Sequence, residues 1–392
     1  MASIFPPAPK PNSYLGYHRI LSPTAGVRVS PICLGAMNFG GAWKQFMGEC
    51  SQETAFAILD YFYSNGGNFV DTANNYQNEE SETWVGEWMA QRQNRDEMVI
   101  ATKFTTGVGF RVNAGIKVNN QGNHAKSLKV SLEASLQKLQ TNYVDLLYVH
   151  WWDFTTSIPE LMQSLHHMVA AGKVLYLGIS DTPAWVVTKA NQYARDHALT
   201  QFSVYQGRWS AAQRDFERDI LPMCEDEGMA IAPWGALGGG LFKTEEQFEQ
   251  TKGQGRQSGP PDEQTRKVSA VLEKMAKAKG TALTSIALRY VMHKSPNVYP
   301  IVGGRKIEHL KGNIDALAIE LTDEEVDEID AALPFDVGFP MNMLFEAGGE
   351  KFNSRMSTND IRLVNTTSNI DVVQRGKPPK AHGAEEIANG DA

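Results

Sequence analysis

Eight short apolar runs recur along the chain, at residues 32–39, 68–73, 98–104, 144–150, 174–180, 202–206, 229–234 and 298–303. Between them lie stretches whose apolar residues repeat with helical spacing, among them 53–64, 81–92, 126–139, 159–171 and 183–197. Ser51 and Pro183 carry the chemistry of helix starts, while Gly66-Gly67 and Gly172 punctuate helix ends shortly before a strand. Strands that are apolar along their whole length must be covered on both faces. The alternation therefore predicts parallel strands with helices packed against them. An open doubly wound sheet and a closed barrel both meet that requirement. The count of eight favours a (β/α)8 TIM barrel, as does the absence of a G-x-G-x-x-G turn after an early strand. Residues 17–29 read as an N-terminal hairpin capping the barrel bottom.

The chain has 392 residues, 42% of them hydrophobic and 21% charged, which suffices for one large core. The expected division is an N-terminal extension (1–16), the barrel (17–333), and a C-terminal segment (334–392) that supplies a substrate loop and then a mobile polar tail from about Ser354. A formal charge of −8 without a basic block argues against nucleic-acid or membrane-surface partners. Cys33, Cys50 and Cys224 are too few and scattered for a disulfide framework or a metal knuckle, so no metal is expected. Residues 1–13 lack the apolar centre of a secretion signal, and no run approaches the roughly 18 apolar residues of a membrane span. A soluble, cytoplasmic protein is the expectation.

Two strand-to-helix connections are long: 105–123, rich in Gly and Asn, and 238–262, which contains Gly253-Gln254-Gly255. Both follow strands, which puts them on the C-terminal face where barrel active sites sit. The first of them, 105–123, is expected to wall a substrate pocket together with 334–350. Phe104, Phe110, Trp151, Trp152, Phe335, Phe339 and Phe345 would give it an aromatic lining.

Three successive strand candidates end in ionisable groups: Asp71, Lys103 and His150. Tyr76 follows in the loop after Asp71. Singly, each has a structural explanation: a cap, a solvated amine, a core imidazole, a packed ring. Their shared position at consecutive strand ends on one face reads instead as catalytic. The set suits carbonyl reduction, in which hydride arriving at carbon creates an alkoxide that needs a proton. Tyr76 would donate it, Lys103 would lower the phenol's pKa, Asp71 would pair with Lys103, and neutral His150 would orient the substrate oxygen.

These four residues resemble the catalytic tetrad of the aldo-keto reductase superfamily, and the resemblance spans about residues 17–333. The stretches from Asn68 to Tyr76 and from Val149 to Asp153 most resemble the branch of fungal aryl-alcohol dehydrogenases and norsolorinic acid reductases. The resemblance implies direct hydride transfer from NADP(H) without a metal, with a small-molecule carbonyl or alcohol as partner. It implies cofactor contacts for Asp71, Ser180, Asp181, Gln206 and the stacking Trp234. Gly235, Ala236, Leu237, Gly238, Gly239, Gly240 and Leu241 would approach the pyrophosphate. Val302, Gly303, Gly304, Arg305, Lys306, His309 and Asn313 would hold the 2′-phosphate and adenine. His150, Trp151 and Phe104 are expected at the substrate, for which aromatic aldehydes or polyketide-type ketones are the expected classes. Asp181 stands where the family has Asn, so it would only accept hydrogen bonds when ionised.

Two other functions share these residues. One is an NADPH-binding redox sensor, as in potassium-channel β subunits that have this barrel. The other is an aldolase barrel with Lys103 as Schiff-base nucleophile, which would leave Arg305 without a role. Tyr290 and Lys294 also match the Tyr-x-x-x-Lys of short-chain dehydrogenases. That family needs an early glycine-rich dinucleotide turn, and this chain has none.

Overall fold

The computed structural model describes residues 5–107, 115–250, 259–346, 356, 360–370 and 376–388. Phe110 and Gly253-Gln254-Gly255 lie outside the described residues. Two antiparallel strands, β1 (Arg19–Ser22) and β2 (Ala25–Val29), form the hairpin expected near the N-terminus. Eight parallel strands follow: β3 (Cys33–Gly35), β4 (Phe69–Asp71), β5 (Val99–Phe104), β6 (Val144–Val149), β7 (Val174–Ser180), β8 (Phe202–Arg208), β9 (Ala230–Trp234) and β10 (Ile301–Val302). They neighbour one another in chain order, with β10 beside β3. Closure comes just before β10, where Ile231 N donates to Asn297 O and Tyr299 N donates to Ile231 O, both at 2.8 Å. The fold is a (β/α)8 barrel.

The first and last barrel strands are shorter than the apolar runs that signalled them. After Gly35 one more ladder bond forms, Ala36 N to Asp71 O, and the chain then turns as Phe39 N donates to Ala36 O. At the other end, Val298 bridges β9 before β10 begins at Ile301. The expected helices form as Gln52–Ser64, Glu80–Arg92, Ala125–Lys138, Ile158–Ala170 and Ala184–Asp196. Ser51 caps the first through its hydroxyl, which accepts from Thr54 N. Within the long connection after β9 lie a 3-10 turn, Gly238–Gly240, and a helix, Glu245–Gln250.

Side chains alternate across each strand, so every strand serves two cores. Cys33, Phe69, Val99, Ala101, Leu146, Tyr148, Val204, Ala230 and Ala232 fill the barrel interior together with Leu21, Ala25 and Val29 of the hairpin. The hairpin thus plugs the barrel. Leu34, Val70, Ile100, Leu147, Val149 and Ile179 point the other way, into the layer shared with the helices. The last described segment of the tail, 376–388, lies along the N-terminal extension: Ala388 N donates to Pro11 O at 2.9 Å, and the Tyr17 and His382 rings stack at 3.5 Å.

Candidate active site

The pleat of the strands decides which side chains enter the barrel. On β5, Val99 and Ala101 point inward and Ile100 outward, so Lys103 points inward as well. The same two-residue step brings Asp71 inward after Phe69, His150 after Tyr148, Gln206 after Val204 and Trp234 after Ala232. Tyr76 arrives by another route, on the 3-10 turn Tyr76–Glu79 that follows β4.

These groups meet at the C-terminal mouth. Lys103 Nζ donates to Asp71 Oδ1 at 2.6 Å and to Thr72 O at 2.7 Å, with none of its surface exposed. It lies 4.8 Å from the centre of the Tyr76 ring. The His150 ring meets Tyr76 edge-on, with centroids 5.8 Å apart. Gln206 Nε2 donates to Asp71 Oδ2 at 3.0 Å, so both oxygens of this buried carboxylate are satisfied.

Burial and charge compete at each group. For Lys103, burial pushes the pKa down, but the Asp71 carboxylate and the Tyr76 phenol outweigh it and the net shift is upward. For Tyr76, burial is the larger effect and raises the phenol, while Lys103 draws it back. The expected lowering by Lys103 is therefore present but does not prevail: the phenol keeps its proton. For His150, burial first and the Lys103 charge second lower the imidazole to about 3, which makes it neutral.

Further round the mouth, Ser180 Oγ is buried without a well-formed hydrogen bond. Asp181 next to it has a left-handed backbone (φ 40°) and accepts from Trp234 Nε1 at 3.3 Å. Enclosure by protein raises its carboxyl above the ordinary range. Gly235, Gly238, Gly239 and Gly240 all have positive φ, a conformation that suits residues without a side chain. Beyond them, Val302, Gly303, Gly304, Lys306 and Asn313 lie together against Leu34, Ile58 and Leu310. Lys306 stands at the N-terminal boundary of the helix Ile307–Asp315 without capping it through its side chain, and the Arg305 guanidinium packs on the bare backbone of Gly48. His309 is lowered by enclosure and then by the charges of Lys306, Arg305 and Lys243, so positive charge converges here.

The model of the aldo/keto reductase family matches residues 31–334 of this chain. The chain belongs to the aldo/keto reductase family. Norsolorinic acid reductase A of Aspergillus parasiticus is 59% identical over 96% of each chain. A putative aryl-alcohol dehydrogenase of Saccharomyces cerevisiae is 54% identical over 88% of this chain and 94% of its own length. An aryl-alcohol dehydrogenase of Pestalotiopsis microspora is 50% identical over 98% of each. As an aldo/keto reductase, the chain is an oxidoreductase of CH–OH and C=O groups, in a family that uses a nicotinamide dinucleotide.

Not every expected residue of this aldo/keto reductase reaches the mouth. Phe104 follows Lys103 directly, so the pleat turns it outward into the helix layer, where it is 1% exposed. Trp152 is likewise part of that outer core. Phe335 packs under the guanidinium groups of Arg218 and Arg214, at 5.0 and 5.5 Å. Trp151 does sit beside His150: its Nε1 donates to Thr106 Oγ1 at 2.9 Å, and that hydroxyl is 3.4 Å from His150 Nδ1. Sequence reasoning passed over Thr106, Lys243 and Gln206 as a partner of Asp71. The pleat pattern pointed to Gln206, while the other two reach the site on loops. Among the described residues, no helix is long and apolar enough to cross a membrane.

Proposed function

We propose that this chain is an NADPH-dependent reductase of aromatic aldehydes or polyketide-type ketones, reversible toward the alcohol, with Tyr76 as the proton donor. One observation carries the reading: the Tyr76 ring lies beside a buried Lys103–Asp71 ion pair and edge-on to His150 at the barrel mouth. The names of the relatives, norsolorinic acid reductase and aryl-alcohol dehydrogenase, support the aromatic and polyketide substrate class.

The residues around the mouth fit a nicotinamide dinucleotide. The buried Ser180 hydroxyl and the Asp181 carboxyl would hold the polar atoms of its carboxamide, and Trp234 would offer an aromatic face. The glycine turn Gly238–Gly240 would let backbone N–H groups approach its pyrophosphate, and Arg305, Lys306 and Lys243 would supply charge for a 2′-phosphate. When bound, the cofactor supplies the hydride.

The protein's own part is the proton and the oxygen. His150 is neutral, so one ring nitrogen can donate to the substrate oxygen and orient it without bringing a competing charge. The phenol of Tyr76 is a far stronger acid than the alcohol being formed, so proton transfer to the nascent alkoxide is downhill. Lys103 stabilises the phenolate that remains, and Asp71 with Gln206 keeps the ammonium charged and in place. In the direction of alcohol oxidation, the same phenolate takes the proton.

The test is Tyr76→Phe, assayed with NADPH and a benzaldehyde-type substrate. Loss of a general acid lowers turnover by about 10²–10⁴-fold, and NADPH binding should stay near wild type. Near-normal turnover of the variant would remove Tyr76 from this role.

A further inference from the structure

The turn that presents Tyr76 has an unusual backbone. Gln77, Asn78 and Glu79 all lie in the left-handed region, with φ of 50°, 53° and 84°. L residues with side chains rarely adopt this conformation, and three in succession persist only where surrounding contacts over-determine them. Glycine would be the relaxed choice at Gln77. Its side chain, fully buried, is engaged at both ends: Nε2 donates to Met37 O at 3.0 Å, and Oε1 accepts from Trp43 N at 2.7 Å. Asn78 takes the same partner, its Oδ1 accepting from Trp43 Nε1 at 3.0 Å. The next residue but one, Glu80, accepts from Gly41 N and Ala42 N at 2.7 and 3.1 Å. Behind the turn, Lys138 Nζ donates to Asn74 O and to Glu79 Oε1, each at 3.1 Å.

Two of these bonds hold one residue: Gln77 takes the backbone N–H of Trp43 and Asn78 takes its indole N–H. Trp43 is half-buried and stands edge-on to Tyr76, with centroids 6.2 Å apart at 70°. His150 meets the Tyr76 ring at 5.8 Å and Lys103 lies 4.8 Å from its centre. The indole is therefore a wall beside the phenol, contributed by the loop after β3 and pinned by two side chains of the phenol's own turn.

We propose that Trp43 is a specificity-determining wall of the substrate site, and that Gln77 and Asn78 are positioning residues that hold it there. The left-handed turn is retained because it aims both amide side chains at Trp43. The inference rests on the reductase reading, since the wall is assigned to that reaction's aromatic substrate.

The experiment compares Gln77→Gly, Trp43→Ala, Trp43→Phe and the double variant Gln77→Gly/Trp43→Ala, with benzaldehyde and 2-acetylnaphthalene as substrates. Gln77→Gly relaxes the backbone but gives up two buried hydrogen bonds, so it should melt somewhat below the wild type while remaining folded at assay temperature. It should nevertheless raise KM about tenfold with kcat changed less than about threefold, the signature of lost binding. Trp43→Ala should match it, Trp43→Phe should recover part of the loss, and the double variant should be no worse than Trp43→Ala alone. Unchanged KM, multiplicative losses in the double variant, or a fall in kcat alone would overturn the proposal. A second readout does not need turnover: iodide quenching of the Trp43 fluorescence, taken as the difference from Trp43→Phe, should rise in Gln77→Gly and in Asn78→Gly. Equal quenching overturns the clamp. A wild-type chain that binds NADPH yet reduces no carbonyl would instead sink the reductase reading, and the substrate wall with it, while quenching still decides whether the clamp exists.

Discussion

Lys103 Nζ lies 2.6 Å from Asp71 Oδ1 and 4.8 Å from the centre of the Tyr76 ring, sealed from solvent. The ammonium is thus shared between a carboxylate that fixes it and a phenol that it polarises. Burial raises the phenol's pKa and Lys103 opposes that rise. Lys103→Met removes the opposition, so the Tyr76 pKa should climb further. Alcohol oxidation needs the phenolate, and its alkaline limb should move to higher pH in the variant, with kcat reduced by about 10²–10⁴-fold. The pH profile of residual oxidation checks this. An unmoved limb would show that Lys103 does not tune the phenol.

His150 gives a pH dependence of stability. Burial and the Lys103 charge hold its imidazole at about 3, whereas in the unfolded chain it titrates near 6.5. Between those values the unfolded state binds a proton that the native state refuses. Stability therefore falls as pH falls through that window, by up to about 1.4 kcal/mol per pH unit. Urea unfolding at about pH 7 and about pH 4.5 should show the wild type losing roughly 2–3 kcal/mol more than His150→Gln. Parallel losses would mean the imidazole is not held neutral.

Arg305 and Lys306 bear on the choice of cofactor. NADP differs from NAD by a dianionic 2′-phosphate, and these two cations, with Lys243, lie close enough to His309 to lower its pKa. A charge-assisted hydrogen bond is worth about 1.5–3 kcal/mol, so the pair can supply a preference of about a hundredfold or more. Arg305→Ala/Lys306→Ala should weaken NADPH binding far more than NADH binding, and the difference should shrink at high salt. Fluorescence titrations with both cofactors decide it, and equal losses would place phosphate recognition elsewhere.

The Tyr290–Lys294 pair, which mimics a dehydrogenase motif, has a structural setting. Lys294 Nζ lies 2.7 Å from Asp330 and 3.3 Å from Glu217, Arg214 bonds Glu217 at 2.8 Å, and the Tyr290 hydroxyl donates to Asp330. The cluster ties the connection after β8 to the helix Asp323–Ala332. Lys294→Met leaves buried Glu217 and half-buried Asp330 with Arg214 as their remaining cation, which costs about 1.5–3 kcal/mol. Chemical denaturation should show that loss while the kcat of the surviving folded enzyme stays near wild type. A stable variant with impaired kcat would instead give Lys294 a part in the reaction.

The barrel was legible because eight apolar runs alternating with amphipathic helices have few ways to be covered, and a two-residue period applied to those runs already aims Asp71, Lys103 and His150 to one side. The same period, applied one residue further, would have turned Phe104 away from the mouth. Local signals also marked helix starts such as Ser51. What the sequence did not contain was the balance between forces that depend on burial. Whether Lys103 or desolvation prevails at Tyr76 depends on how much water the closed barrel excludes, which no local pattern records. Loop partners were equally hidden. Trp43 reaches Gln77 and Asn78, and Lys243 reaches the neighbourhood of Arg305, only because barrel closure brings separate loops around one mouth. Strand pairing and pleat are short-range properties that residue patterns encode. The meeting of loops, and the dielectric they enclose, exist only once the eight strands have closed.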